Sequence, residues 1–333
     1  MIKLSVLDQS PVRKGDSPAQ AIQETIELAQ FCDALGYRRY WLAEHHSSEA
    51  LAGSTPEILV GHVAGATKNI RVGSGGVMLS HYSPLKVAEN FRMLETLYPG
   101  RIDIGIGRAP GSDYRTAQAL ATGPGALSTE YFPHQVNMLR EFLDDKVSSE
   151  HNFSNIHAQP VGPTSPELWL LGSSDQSAML AAHFGLPFSF AHFITSRGGA
   201  AVMGGYQRNF RPSDRCPSPQ GSVGIFVICA DTEAEAERLA LSRNIFLINL
   251  RRGQPAPIVP PEEAAAYEMD SQDREIVADA QGRTIVGDPE QVKQQITELA
   301  NAYEVNEALI VTITYDFSAR KRSYELIAEA FAL

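Results

Sequence analysis

The stretch that most constrains this chain runs from Ile70 to Gly111, IRVGSGGVMLSHYSPLKVAENFRMLETLYPGRIDIGIGRAPG. Ile70 to Leu79 reads as a strand, and Ser83-Pro84 opens a helix whose apolar positions are Val87, Phe91, Leu94 and Leu97. Pro99-Gly100 stops that helix, and Arg101 to Ile106 follows at once as a second strand. A strand, helix and strand in direct succession form a β-α-β unit, so the two strands pair in parallel. Gly73, Gly75 and Gly76 interrupt the first strand, which marks either a strained barrel corner or a place where a ligand lies against the backbone. Gly105-Ile106-Gly107-Arg108 sets a fixed positive charge at the carboxyl end of the second strand. Parallel α/β folds gather their ligands at that end, so Arg108 reads as an anion clamp.

The same alternation runs along the whole chain. Strands are expected near residues 2–7, 39–43, 70–79, 101–106, 168–171, 188–194, 223–229 and 308–314, with helices between them. Eight alternating strands in 333 residues predict a closed (β/α)8 TIM barrel with loop insertions, one domain spanning residues 1–333, over an open doubly wound sheet. Ser17 and Gln20 cap the first helix and Gly36 closes it. Ser54-Thr55-Pro56-Glu57 reads as a capping box. The helix after it is apolar around much of its circumference (Ile58, Leu59, Val60, Val63, Ala64, Ala66), which predicts a second packing partner and hence a homodimer.

Elsewhere the punctuation is weaker. Ala109 to Gly125 reads as a loop long enough to fold over a site, Leu127 to Leu143 as a helix, and Lys146 to Pro166 as a polar surface excursion. The glycine pairs Gly198-Gly199 and Gly204-Gly205, with Pro212 to Pro219, predict a mobile lid between two strands. Residues 252–282 read as irregular or partly helical, Asp288 opens a helix to about Ala302, and residues 318–331 form the closing helix.

Two strand ends carry chemistry besides Arg108. After Leu168-Trp169-Leu170-Leu171 comes Gly172-Ser173-Ser174-Asp175-Gln176-Ser177 and a helix; glycine and serine at such a turn either cap the helix or cradle a phosphate at its positive end. The second strand ends in Glu44-His45-His46, of which at most one histidine can face a cavity, because neighbours on an extended segment point opposite ways. A histidine there is either structural or a general base with a resting pKa suited to neutral pH.

A formal charge of −11 leaves no general basic surface, and Arg320-Lys321-Arg322 reads as a solvated face of the last helix, so nucleic acid is not an expected partner. Three cysteines, Cys32, Cys216 and Cys229, without CxxC spacing indicate neither a disulfide framework nor a zinc knuckle, and fit a reducing cytoplasm. The amino-terminal residues lack the apolar run of a signal peptide or membrane span.

Together, YWLAEHH (40–46), the stretch from Val72 to Gly111, LLGSSDQSAMLAAHFGLPF (170–188) and VGDPEQV (286–292) resemble the bacterial luciferase-like flavin-dependent monooxygenases, in order over nearly the whole chain and most weakly at 146–166 and 195–222. The resemblance implies a (β/α)8 barrel that uses FMN, as reduced FMN supplied by a separate flavin reductase, and O2 to oxygenate a small organic substrate. It implies that Arg108, Ser173, Ser174 and Ser177 hold the phosphate, that Gly75-Gly76 forms a cis peptide under the flavin ring, and that His45 is the active-site histidine. Where luciferase has a reactive cysteine before the phosphate arginine this chain has Gly107, which argues against light emission and against an aldehyde substrate. Beside this reading stand a flavin-storing relative with no catalysis and two further alternatives. One keeps the fold and uses the deazaflavin F420 for hydride transfer; the other is a metal-dependent barrel hydrolase built on Glu44, His45, His46 and perhaps His192 or Asp8, although no HxH pair marks the first strand. No metal is expected under the first reading.

Overall fold

The computed structural model describes residues 2–109, 113–121, 130–148 and 153–333. Among the described residues there are nine parallel strands: β1 (Lys3–Asp8), β2 (Arg39–Leu42), β3 (Arg71–Met78), β4 (Ile102–Gly107), β5 (Glu167–Gly172), β6 (Phe188–Ala191), β7 (Gly221–Cys229), β8 (Thr284–Gly287) and β9 (Glu307–Val311). β1 to β7 pair in chain order, β7 pairs β9, and β9 pairs β1, which closes an eight-stranded barrel. Phe226 of β7 pairs with Val311 of β9 and also with Thr284 of β8, so β8 extends the edge of β7 that β6 begins.

Around the barrel lie α1 (Pro18–Leu35), α2 (Pro56–Ala66), α3 (Pro84–Leu97), α4 (Tyr114–Leu120), α5 (Phe132–Asp144) and α6 (Asp175–Phe184). The second half adds α7 (Gly199–Asn209), α8 (Glu233–Arg251), α9 (Pro261–Ala265), α10 (Ser271–Gln281), α11 (Pro289–Ala302) and α12 (Phe317–Phe331). Ser17, Ser83, Ser174 and Thr232 each accept a hydrogen bond from the first turn of the helix that follows, so the helix starts read at Ser17 and Ser83 are capped and the serine turn before α6 does cap its helix.

A charged and aromatic layer fills the amino-terminal half of the barrel. Asp103 accepts from Arg39 Nη1 at 2.7 Å and from Trp41 Nε1 at 2.9 Å, and Arg71 grips its other oxygen. Arg39 also reaches Glu307 and Glu167. Burial would pull the Arg39 guanidinium down, but Asp103, Glu307 and Glu167 overrule it and hold the group charged. Trp41 and Trp169 meet edge to face, 5.4 Å apart, and cover this network from above.

Several expectations need correction. Residues 195–222 contain a helix, α7, whose Met203 and Tyr206 are fully buried. Gly199 is demanded by packing, since a Cβ there would fall 1.8 Å from the Tyr303 hydroxyl and 2.7 Å from Phe190. Glycine chosen for close approach was therefore read as glycine chosen for a loop. Residues 109–125 likewise include a helix, α4; residues 110–112 and 122–129 lie outside the described residues, the latter taking in 127–129 of the helix expected from 127, as do residues 149–152 of the surface excursion. The segment 252–282 carries α9 and α10, and the short β8 beyond it was missed because four residues give too little periodicity to read. At α2, Thr55 is the N-cap but makes no side-chain cap bond; Ser54 Oγ contacts Thr55 Oγ1 instead, so the expected capping box does not form.

Arg320 is not part of a solvated face. It is buried against Asp8, with Nη2 2.7 Å from Oδ1. Only Lys321 and Arg322 of that cluster face outward, paired with Glu27 and with Asp231 and Glu325. An inward arginine on an amphipathic helix is tolerated because Asp8 supplies the opposite charge at hydrogen-bonding distance.

Candidate functional site

A cavity of about 720 Å³ opens at the carboxyl ends of the strands. The residues that the flavin reading singles out all line it: His45, Gly75, Gly76, Arg108, Ser173, Ser174 and Ser177. The end of β4 and the turn after β5 face each other here. Arg108 Nη1 donates to Gln176 Oε1 at 2.8 Å, and Gln176 lies in the first turn of α6. Among the described residues no carboxylate pairs with Arg108, so its charge stands unpaired beside the first turn of α6, where Asp175 Oδ1 already accepts from Gln176 N at 2.8 Å. Ser174 caps that helix by accepting from Ser177 N at 3.4 Å, and the two hydroxyls lie 3.3 Å apart.

The Gly75–Gly76 peptide is cis. Both glycines are also required by neighbours: a Cβ on Gly75 would meet Leu7 Cδ1 at 2.6 Å, and one on Gly76 would meet the Gly105 carbonyl oxygen at 2.6 Å. The two readings of these glycines thus coincide in one place, a tightly packed barrel wall that presents bare backbone to the cavity. Gly107 differs, for a Cβ there meets nothing within 4 Å, so the side chain it lacks leaves open space at the cavity edge.

The Glu44-His45-His46 tip divides its work. Glu44 is buried and fully engaged: Oε1 accepts from Tyr82 Oη at 2.6 Å and meets His46 Nε2 at 2.7 Å, while Oε2 accepts from Met78 N at 2.9 Å. It fastens the end of β2 to the end of β3. His45 alone of the two histidines faces the cavity, its backbone N–H held by the Gly53 carbonyl and its buried Nδ1 without a hydrogen-bond partner. Burial, aided by His46, pushes the His45 imidazole down to about 4, so it is neutral near pH 7 rather than poised to titrate there as its type alone suggests.

Residues that sequence reasoning passed over complete the walls. Gln9 at the tip of β1 keeps a buried, unpartnered Oε1, and Tyr114 and Ala117 reach the cavity from α4. Phe193 and Ile194 close the side after β6. Gln9 sits at a strand tip, a signal that could have been followed; α4 was hidden by its flanking glycines and prolines.

The alternative metal site does not assemble. Asp8 is bound to Arg320 and Tyr40, and His192 to the Tyr303 hydroxyl at 2.7 Å and the Gly282 carbonyl at 3.0 Å, away from His45. Among the described residues no group of three or more His, Cys, Asp or Glu side chains is placed to hold a metal ion. Cys32, Cys216 and Cys229 are buried and free.

Residues 2–304 match the luciferase-like monooxygenase family. The chain belongs to that family. Among its luciferase-like relatives, N-acetyl-S-alkylcysteine monooxygenase of Bacillus subtilis (strain 168) is 36% identical over 342 residues, covering 99% of this chain and 98% of the relative. The solved structure of apo-MsnO8 shares 40% identity and a TM-score of 0.91, covering 100% of this chain and 99% of that one. In fold alone, this luciferase-like chain also resembles an F420-dependent secondary alcohol dehydrogenase (14% identity, TM-score 0.73, 99% and 98% covered). The same holds for the oxygenating constituent of 3,6-diketocamphane monooxygenase from Pseudomonas putida in complex with FMN (21%, TM-score 0.71, 99% and 97%). No helix among the described residues is long and apolar enough to cross a membrane.

Proposed function

We propose that this chain is an FMN-dependent monooxygenase that takes reduced FMN from a separate reductase and, with O2, oxygenates a small organic substrate. The observation that carries this reading is the meeting of Arg108 with the first turn of α6 in the same cavity as the Gly75–Gly76 backbone. Arg108, Ser173, Ser174 and Ser177 would hold the phosphate: an unneutralised guanidinium, a helix amino terminus and serine hydroxyls suit a dianion. The flat ring would lie on Gly75 and Gly76, where no side chain intervenes.

When bound, reduced FMN supplies the electrons that activate O2; the protein supplies binding, orientation and a dry site. Leu7, Trp41, Met78, Phe193 and Leu309 line the cavity and exclude water from it. His45, neutral near pH 7 and lining the cavity, would meet the reacting substrate through the face of its imidazole that reaches the cavity, while its buried Nδ1 stays out of contact. The whole chain would act as one catalytic unit in a reducing cytoplasm. A homodimer would cover the outer face of α2, where Ile58 is 72% exposed.

Anaerobic titration with reduced FMN and with reduced F420, followed by oxygen uptake in the presence of a substrate panel, tests the reading. Tight FMN binding that Arg108→Ala weakens supports it. Preference for F420, or FMN affinity indifferent to Arg108, overturns it.

A further inference from the structure

Arg243 is the one arginine of this cavity's surroundings that the flavin reading leaves without work. It projects from α8, is 4% exposed, and its Nε is buried with no hydrogen-bond partner. Among the described residues no carboxylate lies within ion-pairing distance of it. Its guanidinium carbon stands 4.2 Å from the centre of the Phe226 ring, and Phe226 meets Phe193 edge to face at 5.6 Å. Phe193 lines the cavity, so a single ring separates Phe193 from the charge.

The neighbouring arginine sharpens the contrast. Arg283 donates to the Ile194 carbonyl at 2.8 Å and is neutralised by Asp279. It thereby holds the Phe193–Ile194 wall in place, with its own charge already paired, and does nothing to neutralise Arg243. Buried charges are ordinarily paired, because desolvation is costly and only an opposite charge or full hydrogen bonding offsets it. Here burial, with Arg283 nearby, drags the Arg243 guanidinium down to about 9, a direction that reflects the missing partner. An aromatic face offsets part of that cost but is a weak substitute for an anion.

We propose that Arg243 is the counter-charge for the substrate: the luciferase-like site takes an anionic small molecule, a carboxylate or a group of like charge, with its negative end toward the Phe193–Ile194 wall. This rests on reading the cavity as the substrate site. Arg108 and α6 form a cationic pole on the β4–β5 side, and Arg243 forms a second on the β6–β7 side, so phosphate and substrate anion are drawn to different walls and the reacting part of the substrate is left between them. Arg243 does not itself line the cavity, and its charge acts through the Phe226 and Phe193 rings; across apolar matter it is screened little, so it discriminates between an acid and its amide.

The test needs neither flavin nor turnover, so it can fail independently of the monooxygenase reading. The full chain is titrated calorimetrically with hexanoate and with hexanamide, which match in length and differ in charge. Wild-type protein is expected to bind hexanoate at least about tenfold more tightly. Arg243→Gln should lower the preference and Arg243→Lys should keep it. Because Arg108 is itself an unpaired cation of this cavity, the pair is also measured in the Arg108→Ala background, where the preference that remains should be lost on adding Arg243→Gln. Equal affinities in the wild type, absence of hexanoate binding, or a preference that Arg243→Gln leaves intact in the Arg108→Ala background would each overturn the proposal. Should the Arg243→Gln proteins fail to fold, Arg108→Ala alone decides it: a preference that persists there supports the proposal and one that vanishes there belongs to Arg108 and overturns it.

Discussion

Arg108 Nη1 donates to Gln176 Oε1 across 2.8 Å, which fastens the carboxyl end of β4 to the first turn of α6. The bond holds a long, flexible cation over a helix amino terminus, so the side-chain entropy an anion would otherwise have to freeze is already spent in part. Arg108→Ala should raise the Kd for FMN about 10- to 100-fold, the loss of a charge-assisted contact of roughly 1.5–3 kcal/mol. Gln176→Ala removes only the tether and should change affinity by about threefold or less. Fluorescence titration of the two variants against the wild type separates the charge from its support.

Ser174 has two roles that one pair of substitutions can divide. It caps α6 through Ser177 N, so Ser174→Ala should cost about 1 kcal/mol of stability. Ser174→Asp keeps an N-cap acceptor and suits the helix dipole, so thermal stability should hold or rise slightly. It also puts a negative charge where the phosphate would lie, and FMN binding should be lost. A stable protein that still binds FMN as Ser174→Asp would remove the phosphate from this turn.

Histidine 45 sets a pH window. Its folded-state value of about 4 lies below the ordinary imidazole value, so between about pH 6.5 and 4 the unfolded chain binds the proton that the folded chain refuses. Stability therefore falls as pH drops through that window, by up to about 3 kcal/mol from this one group, less whatever cavity water screens. His45→Asn should flatten that part of the stability curve in urea titrations and should lower turnover at pH 7. A curve as steep in the variant as in the wild type would locate the acid sensitivity elsewhere.

Asp8 and Arg320 form a buried pair whose halves are 312 residues apart, joining β1 to α12. Burial would raise the Asp8 carboxyl, yet Arg320, Tyr40 and the Ser10 N–H hold it below its usual range. Asp8→Asn or Arg320→Met alone should destabilise by about 3–5 kcal/mol, because each leaves an uncompensated group inside. The double variant should recover part of that loss, which chemical denaturation would measure as a favourable coupling term.

Gly107 offers the converse test of the cavity edge. With open space where its side chain would be, Gly107→Cys should be tolerated within about 1 kcal/mol. Gly76→Ala should cost about 1–3 kcal/mol or more, since its methyl would overlap the Gly105 carbonyl and Leu171. Thermal melts of both variants compare them directly.

What was legible in the sequence was local and repeated. Apolar runs alternating with capped helices place all eight barrel strands within a few residues, and parallel pairing follows from the helices between them. Strand ends such as Arg108, His45 and the Ser173–Ser177 turn were legible for the same reason, because a parallel barrel brings its carboxyl ends to one face whatever the loops do. Tertiary contact decided the rest. Gly199 looks like a loop residue until Tyr303 and Phe190 arrive against it from 104 positions on and 9 back, and Arg320 looks like a surface charge until Asp8 appears beside it. His45 carries an ordinary imidazole in the chain and an acid-resistant one in the fold, since burial and His46 act only once the barrel has closed. Periodicity and punctuation are properties of neighbours in sequence, and so the chain alone marks the barrel strands and the clearly capped helices, but not α4, α7 or β8. Burial, charge pairing and close approach are properties of neighbours in space, and only the closed barrel assigns them.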